Sequence, residues 1–263
     1  MNAVVSPQRP ALRVAGLSNL RDFGGHDLGG GRRVVSNRLF RAAAPCRVEP
    51  EGFGHLMELG VTTVIDLRRT DEATLEPSSL LGIDTIRLCS TPIEAGTGPR
   101  IDALRRGGTL TAEAMRALMI DTYRGFASDR GVAFGAALGM LLSASDRPLM
   151  LHCTAGKDRT GFLVALVQSV LGVAWETIAA DYLVTNRDWD RAGVASAASL
   201  DPDAREVLLS ADLVFLEAAF DEIARRHGSA ERFAAHVLGP QASLLDRLAD
   251  LVVADAANGR PTA

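Results

Sequence analysis

The residues best suited to chemistry stand in one short stretch, His152 to Gly161, which reads His-Cys-Thr-Ala-Gly-Lys-Asp-Arg-Thr-Gly. An apolar run leads into it and predicts a buried strand, and an apolar helical segment follows it directly. In a loop that joins a strand to a helix, backbone N–H groups can converge on one centre, and the helix N-terminus adds its positive dipole end. The stretch Cys153–Arg159, here called the signature loop, therefore predicts a thiolate-based site for an oxyanion such as phosphate.

The side chains of the loop fit this chemistry. The electrostatic field at a helix N-terminus favours the thiolate form of Cys153, the candidate nucleophile. Arg159 offers a planar fork to two phosphoryl oxygens, which a lysine could not reproduce. Thr160 could donate a hydrogen bond to the sulfur. The loop also predicts substrate contacts at Thr154, Ala155, Gly156 and Lys157.

A simpler interpretation of Cys153 is a buried structural thiol, as most single cysteines are. That interpretation leaves Lys157, Asp158 and Arg159 together without a role, so the catalytic interpretation is favoured. The three cysteines, Cys46, Cys89 and Cys153, occur singly. Their spacing argues for a reducing compartment and against a disulfide framework or a zinc site, and we expect no metal or cofactor.

Length and composition favour one large domain. The chain has 263 residues and 47% hydrophobic content, enough to bury a substantial core. We expect a flexible leader at 1–12, a single domain at 13–263 and, within it, a helical lid at 187–228. A net charge of -4 and a pI of about 5.8 suggest neither a nucleic-acid partner nor a polybasic membrane anchor.

The sequence shows neither a usual secretory signal nor an apolar run long enough to span a bilayer. We therefore expect a cytoplasmic protein. The sequence leaves open export by a route that needs no usual signal. The oligomeric state is not predicted.

Strand and helix patterns alternate along the chain. This order predicts an α/β fold with a mainly parallel sheet and helices on both faces. Residues 90–108 are rich in glycine and proline and predict a mobile loop close to the site. The predicted strands cover 33–41, 61–67, 83–89 and 148–152, and the predicted helices cover 50–59, 112–126, 129–142, 162–171, 175–186, 229–238 and 241–253.

The signature loop resembles that of the cysteine-dependent protein tyrosine phosphatase superfamily. Further stretches narrow the resemblance to the atypical bacterial protein tyrosine phosphatases, a group with mycobacterial and Listeria members. The resemblance covers about residues 17–186 and implies a phosphatase fold, often with a helical lid, and no metal or cofactor. The stretches that carry it are Asn19-Leu20-Arg21-Asp22-Phe23-Gly24-Gly25, Asp66-Leu67-Arg68, Asp121-Thr122-Tyr123-Arg124, the loop itself and Ala180-Asp181-Tyr182-Leu183.

The resemblance implies two-step covalent catalysis on a phosphorylated protein. Cys153 would attack phosphorus while Arg159 and the loop amides hold the developing charge. His152 would support the loop by hydrogen bonding, because its side chain leaves the strand on the opposite face to Cys153. The resemblance also implies that Arg21 and Asp22 line the pocket. Alternatively, these two residues form a surface ion pair of little energetic value.

The general acid is open between three carboxyl groups. Superfamily members usually supply an aspartate from a separate loop, yet 90–98 contains Glu94 and no aspartate. Asp158 lies within the signature loop, and Asp66 lies near a strand end. Asp158 could instead have a structural role, pairing with an arginine such as Arg21.

Lys157 bears on the substrate. The expected substrate is a phosphotyrosyl protein, and phosphoserine and phosphothreonine are further protein substrates. A lysine at this position recurs in superfamily members that act on inositol lipids, so a phosphoinositide is the alternative substrate. Otherwise Lys157 is a solvated charge at the rim. A rhodanese-like sulfurtransferase and a non-catalytic phosphate-binding module are less favoured, since Arg159-Thr160-Gly161 and Cys153 are all present.

Overall fold

The computed structural model describes residues 12–191 and 199–254. Its main sheet has five strands, and the predicted α/β fold with a mainly parallel sheet is confirmed. In spatial order the strands are β1 (Arg21–Asp22), β4 (Leu39–Ala42), β7 (Leu149–His152), β5 (Thr63–Asp66) and β6 (Arg87–Ser90). Strands β4, β5, β6 and β7 run parallel, and β1 pairs with β4 antiparallel at one edge.

The register of the parallel strands brings their carboxyl ends to one edge. His152, the last residue of β7, lies opposite Ala42 of β4 and Asp66 of β5. Ligands of open α/β sheets bind beyond this edge. The signature loop therefore starts where loops from three neighbouring strands can reach it.

A second, antiparallel sheet joins the two ends of the described chain. It consists of β2 (Asp27–Gly29), β3 (Arg32–Val34) and β8 (Val252–Ala254). The predicted strand over 33–41 is in fact two strands, β3 and β4, in different sheets.

Ten helices surround the main sheet in the described ranges. The predictions for 112–126 and 229–238 agree closely with α4 and α10. The helices are α1 (Pro50–Glu58), α2 (Thr70–Leu75), α3 (Thr97–Arg106), α4 (Ala112–Phe126), α5 (Gly131–Ala144), α6 (Asp158–Val170), α7 (Trp175–Asp188), α8 (Pro202–Leu209), α9 (Leu213–His227) and α10 (Ala230–Leu238), with 3₁₀ turns over Gly239–Leu251.

Two predictions of local structure are wrong. The predicted loop over 90–108 contains α3, which begins after Gly96 and packs Ile101 and Leu104 against the core. The predicted helix over 241–253 is a run of 3₁₀ turns followed by β8, because this segment pairs with β3. Tertiary pairing overrides local propensity in such short segments.

The core lies on both faces of β7. Leu149 and Leu151 face a cluster that includes α6, and Met150 faces the opposite cluster with Phe40 and Val64. Helix α6 is buried along most of its length, from Arg159 to Gln168. Continuous apolar segments of this kind are expected for elements covered on both sides.

Within the described ranges, no helix combines the length and the apolar character needed to cross a membrane. Residues 1–11, which include most of the predicted leader, lie outside the described residues.

The contact between α5 and α10 predicts the effect of one added methyl group. A Cβ on Gly135 would lie 2.0 Å from the carbonyl oxygen of Val237, whereas a Cβ on Gly54 in α1 meets nothing within 4 Å. We expect Gly135→Ala to lower the free energy of unfolding by about 1–3 kcal/mol. Gly54→Ala, the matched control, should raise it by about 0.5–1 kcal/mol. Urea denaturation followed by circular dichroism measures both, and equal effects would contradict the packing described here.

Candidate active site

The signature loop runs from the end of β7 to the start of α6, as the sequence predicts. Cys153, directly after β7, is only 2% exposed. Gly156 makes the turn with a φ of 65°, and a Cβ there would lie 2.2 Å from the carbonyl oxygen of Ala42. Both the backbone angle and the close approach of β4 require glycine at this position.

Two side chains hold the outer side of the loop by its carbonyl groups. Asn19 Nδ2 donates to the carbonyl oxygens of Ala155 and Gly156 at 2.9 and 3.2 Å. Arg41 Nη2 donates to the same Gly156 oxygen at 2.8 Å. Carbonyl groups that are held on the outside leave the peptide N–H groups free to turn inwards, which a phosphate site requires.

The buried carboxylate of Asp181 holds Arg41 directly and Asn19 through Arg21. Asp181 on α7 accepts hydrogen bonds from Arg21 Nε and Arg41 Nη1, both at 2.8 Å. Arg21 in turn donates to Asn19 Oδ1. Burial opposes ionisation of Asp181, but the charges of Arg21 and Arg41 outweigh burial and lower its pKa to about 2. The carboxylate is therefore ionised at neutral pH.

The expectation that Arg21 and Asp22 line the pocket stays a prediction. Arg21 is buried and binds Asp181, so the alternative of a surface ion pair with Asp22 is wrong. Asp22 accepts hydrogen bonds from the backbone N–H groups of Gly24 and Asn37 and so shapes the turn after β1. Asn19 and Arg41, which do support the loop, were not singled out from the sequence.

Arg159 is held by a carboxylate that the sequence did not reveal. Its Nη1 donates to Glu72 Oε2 at 2.7 Å, and its Nη2 donates to Glu72 Oε1 at 2.8 Å. Burial opposes the charge on both side chains. The hydrogen bonds and the opposite charge of the partner outweigh it, lowering the pKa of Glu72 to about 2 and raising that of Arg159.

Glu72 lies in α2, the helix that follows β5. Its Oε2 also accepts from the backbone N–H of Arg69, and its Oε1 accepts from Thr154 Oγ1 of the signature loop at 2.9 Å. An acidic residue three positions into a helix is a common capping signal. That signal could have located α2, but nothing in the spacing indicates that the same carboxylate reaches Arg159.

Asp158 is the candidate acid that the structure brings into the loop. Its Oδ1 accepts hydrogen bonds from Lys157 Nζ at 2.7 Å and from Tyr123 Oη at 2.8 Å. Its side chain is 26% exposed. The structural partner considered from the sequence, Arg21, binds Asp181 instead.

Lys157 does not stand at the rim. Its side chain is 2% exposed, and Nζ donates to Asp158 and to the carbonyl oxygen of Ser210. Ser210 lies in the connection between α8 and α9, which covers the lysine. The interpretation of Lys157 as a solvated charge at the rim is therefore wrong, and its contact with a substrate phosphate stays a prediction.

The other two candidate acids are engaged elsewhere. Asp66 is held by the guanidinium of Arg68 at 2.8 Å. Burial opposes its ionisation, but the hydrogen bonds from Arg68 and the neighbouring His152 lower its pKa overall. Glu94 is 60% exposed and accepts from the backbone N–H of Gly96.

His152 supports the loop, as expected. Its Nδ1 lies 3.0 Å from the carbonyl oxygen of Cys153, so this nitrogen carries the hydrogen. Burial lowers the pKa of His152 and favours the neutral ring. Thr160 Oγ1 is buried without a hydrogen bond to any described residue, so the predicted bond to the sulfur is not seen.

The segment 187–228 is partly helical, with the end of α7 and all of α8 and α9 in its described part. Helices α8 and α9 pack against α4. Its role as a lid stays a prediction.

These elements define a class of enzyme. A buried cysteine after a parallel strand, a tight glycine turn and an arginine in the first turn of the next helix are the parts of a cysteine-dependent phosphatase. The sequence profile of the tyrosine phosphatase family matches residues 12–254. The chain belongs to this family, is a phosphatase and acts on a phosphorylated substrate, so the resemblance seen in the sequence is confirmed.

The chain is also similar to individual proteins. The chain is 30% identical over 243 residues to a Cupriavidus necator protein provisionally assigned as a tyrosine-protein phosphatase, covering 87% of this chain and 88% of the relative. It is 33% identical over 169 residues to the triple specificity protein phosphatase PtpB of Mycobacterium tuberculosis, covering 57% and 61% of the two chains. Among solved structures, Pseudomonas aeruginosa TpbA matches 65% of this chain and 80% of its own, with 18% identity and a TM-score of 0.36.

Removing the charge of Glu72 tests its hold on Arg159. We expect Glu72→Gln to lower kcat/KM for an aryl phosphate by about 10- to 100-fold, the value of a hydrogen bond to a charged group. Asp71→Asn is the matched control, because Asp71 lies next to it on α2 and its side chain is 61% exposed. Equal activities of the two variants would show that Arg159 needs no counter-charge.

Replacing Asp181 tests the buried network. Asp181→Asn leaves two buried guanidinium groups without their carboxylate and should lower the free energy of unfolding by about 3–5 kcal/mol at neutral pH. The exposed Asp102→Asn should change it by less than about 0.5 kcal/mol.

The pH dependence has a definite sign. The folded-state pKa of Asp181 lies below its ordinary value of 3.8, so its contribution is complete above about pH 4 and is lost as the pH falls towards 2. The stability difference between wild type and Asp181→Asn should therefore shrink over that window. A difference that stays constant down to pH 2 would contradict the pairing.

Proposed function

We propose that the protein hydrolyses phosphotyrosyl side chains of proteins through a phosphocysteine intermediate. The observation that carries the proposal is that one loop after β7 holds buried Cys153 and Arg159, an arginine fixed at both terminal nitrogens by Glu72. A cysteine nucleophile and a pre-oriented guanidinium at one strand end are what phosphoryl transfer to sulfur requires.

In the first step, Cys153 Sγ attacks phosphorus as the bond to the leaving oxygen breaks. The inward-facing amides of the signature loop and Arg159 stabilise the charge on the equatorial oxygens. Because Glu72 occupies the end of the guanidinium, the edge formed by Nε and Nη2 is the one that serves two phosphoryl oxygens. Nη2 then gives up its 3.2 Å contact with Thr154 Oγ1.

Asp158 is the general acid of this proposal. It protonates the leaving oxygen in the first step and accepts a proton from the water that hydrolyses the phosphocysteine in the second. Its place in the loop and its partial exposure support this role. Glu72 and Asp66 are less suited, because both oxygens of each carboxylate already accept hydrogen bonds, chiefly from Arg159 and Arg68. The bonds that Asp158 accepts from Lys157 and Tyr123 are both on Oδ1.

No contact in the described residues favours an inositol lipid over a protein. Lys157, the residue that suggested a lipid, is buried and donates to Asp158 and to the carbonyl oxygen of Ser210. A lipid substrate is therefore one outcome of the test below.

Phosphate release from a phosphotyrosyl peptide and from a short-chain phosphatidylinositol phosphate, side by side in EDTA, tests the proposal. Wild type should act faster on the peptide. Cys153→Ser should lose turnover by several orders of magnitude while still binding the peptide, since it removes the nucleophile and keeps the loop. Arg159→Lys should lose both, with kcat lowered by about 10²–10³-fold.

Turnover by Cys153→Ser at the wild-type rate would refute the nucleophile. Faster release from the lipid would refute the preference for protein but not the chemistry. Phosphate release that needs a metal ion would refute both the mechanism and its residues.

A further inference from the structure

A chain of hydrogen-bonded side chains lies behind the signature loop and ends on Asp158. Tyr182 Oη and Tyr123 Oη are 2.7 Å apart, and Tyr123 Oη lies 2.8 Å from Asp158 Oδ1. Lys157 Nζ reaches the same Oδ1 at 2.7 Å from the other side. Tyr123 comes from α4 and contacts the carboxylate directly, whereas Tyr182 comes from α7 and contacts Tyr123.

The direction of these bonds follows from the donors. A carboxylate oxygen can only accept, so Tyr123 donates its hydrogen to Asp158 and Tyr182 donates to Tyr123. Both phenol groups are buried, and burial raises the pKa of each, so they stay protonated. The hydroxyl of Tyr123 is therefore a permanent donor to Asp158.

Packing keeps both donors in place. The ring of Tyr123 is fully buried against Phe126 and Phe215, with ring centroids at 5.1 and 5.9 Å. Lys157 Nζ is held from behind by the carbonyl oxygen of Ser210 at 3.2 Å. Neither donor has room to turn away from Asp158 without disturbing the core or the connection between α8 and α9.

We propose that Tyr123 and Lys157 are positioning residues for the general acid, which deepens the function proposed above and rests on it. Two donors on Oδ1 leave no place for a proton there, so the acidic hydrogen of Asp158 resides on Oδ2. Oδ2 is then the atom that faces the leaving oxygen, and the two donors fix its direction.

The proton balance of the two steps is simple. As the S–P bond forms and the P–O bond breaks, the Oδ2 proton moves to the leaving oxygen, and Asp158 becomes a carboxylate held by Tyr123 and Lys157. In the second step water adds to phosphorus, the P–S bond breaks, and the proton of the water returns to Oδ2. No other reactant is needed.

The test compares two esters that differ in their need for an acid. Phenyl phosphate has a leaving group about as basic as tyrosine, with a pKa of about 10, whereas 2,4-dinitrophenyl phosphate releases a stable anion without protonation. Because both esters share the second step, the comparison uses kcat/KM, which reports on the first step alone. Tyr123→Phe should lower kcat/KM for phenyl phosphate by about tenfold or more and change kcat/KM for the dinitrophenyl ester by less than about threefold. Tyr182→Phe removes the bond between the two tyrosine hydroxyls but leaves Asp158 its donor, and it should cost less on phenyl phosphate.

A second readout separates positioning from a general loss of structure. Since Tyr123 acts through Asp158, the double variant Tyr123→Phe/Asp158→Asn should be no slower on phenyl phosphate than Asp158→Asn alone. Lys157→Met gives an independent version of the experiment if Tyr123→Phe folds poorly, with the same selective loss expected.

Equal losses on both esters, or losses that add in the double variant, would overturn the inference while leaving the phosphatase function intact. Failure of the wild-type protein to release phosphate from either ester would overturn both.

Discussion

The direction of two carbonyl groups constrains everything else in this site. The amides of the signature loop can converge on phosphate only if the carbonyl groups of Ala155 and Gly156 point away from it. Asn19 and Arg41 hold them there, and Asp181 holds Arg41 through a buried ion pair. Such buried pairs cost about as much in desolvation as they return in attraction, so their value here lies in geometry more than in stability. The network determines where the peptide N–H groups can go.

On the other side of the loop, a second ion pair joins Arg159 to Glu72. Glu72 supplies the counter-charge of the buried Arg159, and Arg69 and Thr154 hold Glu72 in place. Arg159 and Glu72 fix each other while the outer edge of the guanidinium remains for a phosphate. The neighbouring arginines lower the pKa values of Glu72 and Asp181, so both carboxyl groups stay ionised at neutral pH. Neither group is suited to carry a proton to a leaving oxygen.

The residues of the site that lie in one continuous motif could be predicted from the sequence. The residues that reach the site from distant segments of the chain could not. Cys153, Arg159 and the strand and helix on either side follow from one motif, and helices with a clear apolar period such as α4 followed from their pattern. Glu72, Asn19 and Arg41 reach the loop from other segments, and no local pattern encodes such contacts. Lys157 was misread because its burial depends on Ser210, 53 residues further along the chain.

The contacts that hold the site join residues far apart in the sequence, and this separation affects how the protein folds. Asn19 meets Gly156 across 137 residues, and Arg21 meets Asp181 across 160 residues. Contacts of such long range form slowly, because the entropy of closing the loop is lost before the contact contributes. The parallel sheet closes over similar distances, since Leu149 of β7 lies opposite Leu39 of β4, 110 residues earlier in the chain. We therefore expect the supports of the signature loop to form together with the sheet, so that the loop can hold an anion only once the whole fold is in place.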